Sequence, residues 1–209
     1  MDFILAHPVA SLIMALTIIT SVMAFSNAEL LSNLILHPYG VYRKQRVYTV
    51  ITSGLIHNDW MHLIFNMFSY FFFAFVLEEK MGHWQFAFLY IASLILSDLP
   101  TVFKKKNNYN YYCLGASGAV SAVIFGYIMY YPLDKMMIIP IPFEIPAIIF
   151  GVLYLVYCHF AAKHARDNVN HDAHMFGALS GILITVGLNY HCLPEFFHQI
   201  NLGVRSYLH

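Results

Sequence analysis

A serine, two histidines and an asparagine stand where three apolar runs of this 209-residue chain begin. Ser117 lies in Gly115-Ala116-Ser117-Gly118, His174 follows Ala173, and His62 precedes Asn66 by four residues. A serine hydroxyl becomes a good nucleophile when a base takes its proton, and neutral imidazole is the usual base. Attack on a peptide carbonyl then creates an oxyanion that needs preorganised donors, and losing one typically costs ~3–4 kcal/mol. His62 and Asn66 share one helical face and both can donate. The backbone N–H groups of Ala116 and Ser117, at a helix start, add further donors. Each residue also has a plain structural role open to it: Ser117 as a helix cap, His62 and Asn66 as bonds between helices. The soluble hydrolase pattern GxSxG is absent, since Ala119 occupies the last glycine position.

The elements that must position these groups read as membrane helices. Hydrophobic residues are 59% of the chain, charged residues 11%, and the mean hydropathy is +0.61. An ordinary soluble domain carries about 25% charged residues. Six apolar runs stand out, at about 9–25, 60–77, 84–102, 118–131, 145–160 and 173–190. Most approach the ~20 residues that cross a bilayer, and within lipid only a helix satisfies its own backbone. The fourth is short, which suits a central helix shielded from lipid. The expected fold is therefore all-α, a polytopic six-helix bundle in one domain over residues 1–209. The net charge of zero points to no nucleic-acid partner. Cys113, Cys158 and Cys192 make neither a disulfide framework nor a CxxC metal motif. No basic leader region opens the chain, so the first run is read as a retained helix.

Consecutive spans alternate in direction, so the second, fourth and sixth begin at the same membrane face. His57, His62 and Asn66 open the second, residues 115–118 the fourth, and His171, Asp172 and His174 the sixth. Ionisable groups inside a membrane are costly and point to function. Gly118, Ala122 and Gly126 form a stripe of small residues on the fourth helix; Ala173, Gly177 and Gly181 do so on the sixth. Such stripes allow close approach and would bring Ser117 to His174. Between the helices, 27–59 is a long loop with a basic cluster at Arg43, Lys44 and Arg46, and 30–36 suits the membrane interface. Residues 78–82 read as a tight turn, 104–112 and 163–170 as polar loops. Pro132, Pro140, Pro142 and Pro146 break the chain before the fifth helix.

Three of these segments resemble the rhomboid family. Residues 52–67 are similar to its stretch ending in HxxxN, 115–119 to its GxSG motif, and Ala173-His174 with Gly177 and Gly181 to AHxxGxxxG. The resemblance spans nearly the whole chain, with the motifs in the family's order. It implies an intramembrane serine endopeptidase with a Ser117–His174 dyad. His62, Asn66 and the backbone at Ser117 and Ala116 would bind the oxyanion, with Gly115, Gly118, Gly177 and Gly181 packing beside the site. It implies substrates with a single transmembrane segment, a first loop partly in the membrane, gating by the fifth helix and its loop, and no metal or cofactor. It also implies a multi-pass protein of a bacterial inner membrane with the site on the outer face.

Three departures accompany it. Tyr48-Thr49 stands where the family often has Trp-Arg. Ser121 takes the place of an aromatic that usually packs on the catalytic histidine, leaving the ring less firmly held or bonded by Ser121 itself. Lys and Arg concentrate on the loops the family places outside, against the positive-inside rule. Two rival functions are a non-proteolytic escort for membrane proteins and a metal or haem site built from His57, His62, His171 and His174.

Overall fold

The computed structural model describes residues 2–137, 143–165, 167 and 169–208. Pro140 and Pro142, and positions 166 and 168 of the 163–170 loop, lie outside the described residues. The short helix α1 (Asp2–Ala6) leads into α2 (Pro8–Phe25). The long first loop contains α3 (Ala28–Leu34), α4 (Pro38–Tyr42), α5 (Thr49–Thr52) and a 3-10 turn. Then follow α6 (Trp60–Met81), α7 (His83–Lys105), α8 (Ser117–Tyr130), α9 (Ala147–His164), α10 (His171–Leu188) and α11 (Cys192–Leu208).

All six apolar runs are helices, and the architecture is an all-α bundle. By length and composition, α2, α6, α7 and α9 can each cross a bilayer. The other two fall short for identifiable reasons. Helix α8 has only 14 residues, most of them buried, so its length is set by neighbouring helices rather than by lipid. Helix α10 carries His171, Asp172 and His174 in its first turn and passes the test only together with α11 to Gly203, across a 110° bend. Large apolar side chains on the outside of α2, α6 and α9, such as Ile19, Phe72 and Val152, are exposed, as lipid contact requires.

The small-residue stripes meet in register. A Cβ on Gly177 would overlap the carbonyl of Gly118, and one on Gly181 that of Ala122. One turn further down, a Cβ on Gly126 would lie 3.0 Å from Thr185 Oγ1. Helices α8 and α10 therefore touch backbone to backbone, which only small residues permit.

The 78–82 turn proves shorter than its sequence suggested. Helix α6 continues to Met81, and Gly82 alone, at φ 94°, turns the chain into α7. Glu78 is fully buried rather than in a turn. It accepts the backbone N–H groups of Val9 (3.0 Å) and Ala10 (2.7 Å), and its Oε1 lies 2.7 Å from His83 Nδ1. The first N–H groups of a helix have no intrahelical acceptor, and this carboxyl supplies one to α2. Replacing Glu78 by alanine should cost about 3 kcal/mol, read as a lower unfolding midpoint in detergent, with Glu78→Gln in between.

Two regions hold structure the sequence did not announce. The segment around Pro132 and Pro146 forms an antiparallel pair, β1 (Lys135–Met137) with β2 (Glu144–Pro146). The C-terminal α11 buries Cys192 and Phe196 at helical spacing, and Gln199 donates to the Tyr130 carbonyl at 3.2 Å. The first loop is tied down without a Trp-Arg pair. Leu36 bridges Cys113, His37 stacks on Tyr112 at 4.5 Å, and Thr52 Oγ1 donates to Leu34 O at 3.0 Å. Arg43 donates to Lys106 O at 2.7 Å and Arg46 to Ser32 O. Thr49 is buried, while Tyr48 is exposed.

Candidate active site

Ser117 is the first residue of α8, and its N–H has no intrahelical acceptor. Gly115 precedes it at φ 115°, a conformation glycine adopts freely, and a Cβ there would lie 2.7 Å from the His62 ring. This close approach brings the starts of α6 and α8 together. His174, in the first turn of α10, places Nε2 2.7 Å from Ser117 Oγ. The hydroxyl and the imidazole from two separate helices thus share a hydrogen bond, and the three polar clusters meet at one end of the bundle.

The donors are arranged less simply. Asn66 gives a side-chain N–H to the His62 carbonyl one turn back, at 2.9 Å, which leaves its second N–H. The Ala116 N–H is aimed at His57 Nε2, at 3.5 Å. Ala116 is thus turned away from the oxyanion role expected of it, because a fully buried His57 sits behind it. Burial holds the His57 ring in its neutral form, well below the ordinary imidazole range. Its tautomer follows from Ser21. That hydroxyl gives its one proton to Leu55 O at 3.0 Å and so accepts His57 Nδ1–H at 3.0 Å. His57 Nε2 is left as the acceptor for Ala116. His57 is a bracket for the nucleophile's loop.

Asp172 turns away from His174 and pairs with Lys104 at 2.7 Å. Asn170 caps α10 through the Ala173 N–H at 3.2 Å and bonds Thr101 on α7. The four-histidine ligand set does not assemble. Among the described residues, the ligand atoms that converge are those of Cys158, His171 and His174.

Residues 44–191 match the sequence model of the Rhomboid domain. A curated relative, "Putative rhomboid protease YdcA" of Bacillus subtilis (strain 168), is 31% identical over 136 residues, covering 65% of this chain and 64% of that protein. The chain belongs to the rhomboid family. The family is one of intramembrane proteases, and this rhomboid is an integral multi-pass membrane protein. The match spans a little under two thirds of the relative's own length.

This rhomboid supplies the missing aromatic from another helix. Tyr154 of α9 stacks on His174, with ring centroids 6.4 Å apart and planes 20° from parallel. Ser121 does not bond the imidazole. It donates to Ser117 O at 2.8 Å and accepts from Tyr154 OH at 2.7 Å, so the small residue makes room for the tyrosine and holds it. Nothing in the spacing of 121 and 154 predicts this pairing, since it depends on how α9 lies against α8. Asp98 was also missed. With Ser53, Asn170 and Ser117 it lines a cavity of about 20 Å³, room for about one water. Its signal in the sequence was legible: an isolated acid inside an apolar run.

Proposed function

We propose that this rhomboid is an intramembrane serine endopeptidase, with Ser117 as nucleophile and His174 as general base, built as a single membrane domain over residues 1–209. The observation that carries this reading is the 2.7 Å contact between Ser117 Oγ and His174 Nε2. The hydroxyl passes its proton to Nε2 as Oγ attacks the scissile carbonyl. The Ser117 N–H and the side chains of His62 and Asn66 receive the oxyanion. His174 then gives the proton to the leaving amine, and the substrate acyl group remains on Ser117. A water beside Ser117, in the pocket that Asp98 and Ser53 make polar, loses its proton to His174 and attacks the ester. Departure of the acid returns the proton to Oγ.

The substrates proposed are membrane proteins with a single transmembrane segment, whose helix unwinds near its end to present an extended strand to this site. Helix α9 and the loop after it gate their access. The proposed setting is a bacterial plasma membrane with the site on the outer face. The test incubates purified protein with a panel of single-span substrates beside the Ser117→Ala variant. Cleavage by the wild type alone is the expected result. Equal cleavage by both, or by neither, returns the chain to the escort reading.

The Tyr154 contact gives a finer expectation. Tyr154→Leu should lower kcat about fivefold with little change in KM, from roughly 1 kcal/mol of ring stacking. Tyr154→Phe, which keeps the ring and loses the hydroxyl's contacts with Ser121 and Cys158, should fall less than about threefold. Steady-state cleavage kinetics separate the two.

A further inference from the structure

Cys158 on α9 is fully buried, and His171 on α10 is nearly so. Neither has a part in the proposed peptide hydrolysis. One ligand atom from Cys158, one from His171 and one from His174 lie within 4.8 Å of one another. His171 Nδ1 is buried with no hydrogen-bond partner among the described residues. Its other nitrogen, Nε2, is 3.1 Å and 3.2 Å from the two carboxylate oxygens of Asp167. A histidine with one nitrogen on a carboxylate and the other bare is oriented as metal-bound histidines are. His174 likewise uses Nε2, towards Ser117.

We propose that Cys158, His171 and His174 form an inhibitory site for a transition-metal ion of zinc type. A thiolate with two neutral imidazoles suits zinc and does not suit magnesium or calcium, which take oxygen ligands. Zinc–sulfur and zinc–nitrogen bonds of about 2.3 and 2.0–2.1 Å place ligand atoms under ~4 Å apart, so small side-chain rotations close the triangle. The Cys158 thiol releases its proton to water on binding. Zinc's remaining tetrahedral position would take a water.

The consequence for the dyad follows from proton counting. An ion held by His174 Nδ1 leaves the ring's one proton on Nε2. That nitrogen then donates and cannot accept, so Ser117 has nowhere to send its proton. The ion also bridges α9 to α10 and holds the proposed gate against the bundle. It is an inhibitor, not a cofactor. The inhibitory half rests on the protease reading; the binding half does not.

The test therefore has two arms. In the first, cobalt(II) is titrated into the purified Ser117→Ala protein in detergent and thiolate-to-cobalt charge-transfer absorption is followed. The band is expected with Ser117→Ala and absent when Cys158→Ser is added. In the second, cleavage by the otherwise wild-type protein is measured against zinc concentration. Zinc should inhibit reversibly on chelation. Cys158→Ser should cleave normally without metal and need at least about tenfold more zinc for half-inhibition, whereas His159→Ala, on the exposed face of α9, should not shift it. Absence of the cobalt band overturns the site, as does zinc sensitivity that is unchanged in Cys158→Ser or lost in His159→Ala. If no variant cleaves any substrate while the cobalt band appears, the protease reading fails and the metal site stands.

Discussion

Replacing Gly177 by alanine should unseat α10 from α8 and cost about 3 kcal/mol or more. The added methyl would overlap the Gly118 carbonyl. Backbone cannot rotate aside as a flexible side chain does, so the two helices must separate. Separation is felt twice, because the contact that sets helix spacing lies one turn below the pair that must react. Stability, read as unfolding of the purified protein in mixed detergent, should fall together with cleavage. Gly187 is the control on the same helix, with nothing within 4 Å of a Cβ built there. Gly187→Ala should be neutral or stabilise by up to ~1 kcal/mol, since alanine is the better helix former.

Replacing His174 by alanine should lower cleavage by about 10⁴-fold or more while leaving unfolding close to that of the wild type. Its Nε2 is the acceptor 2.7 Å from Ser117 Oγ, and without it the hydroxyl keeps its proton. His171 cannot substitute: its Nε2 faces Asp167, and its ring centroid is 6.0 Å from that of His174. The two members act as a unit, so the Ser117→Ala, His174→Ala double variant should be no worse than either single change. Multiplicative losses in turnover would mean independent roles and would remove the dyad from the mechanism.

The parts of this site that were legible in the sequence are those fixed by periodicity and by counting. Alternation of spans put His62, Ser117 and His174 at one end, and four-residue spacing marked the small-residue stripes on α8 and α10, whose register, Gly118 on Gly177 and Ala122 on Gly181, the structure supplies. What was illegible depends on lateral packing. Tyr154 and Cys158 reach His174 only because α9 lies beside α10, and no local pattern encodes that neighbour. The short run at 118–131 is a buried helix whose length lipid does not set. Glu78 looked like a turn residue because acids near glycine usually are, yet its carboxyl closes the start of α2 from 68 residues away along the chain. Ala116 shows the same limit at finer scale. A free N–H at a helix start is a general expectation, but His57 was placed to take it.

The most direct test of the central claim is covalent trapping. A fluorophosphonate reacts with a serine whose hydroxyl is activated by a neighbouring base, independently of any guess about substrate. Mass spectrometry of the labelled protein should find one adduct, on Ser117, and none after His174→Ala. An unlabelled wild type, an adduct on another serine, or undiminished labelling of Ser117 in the His174→Ala protein would contradict the pairing of these two side chains as nucleophile and base.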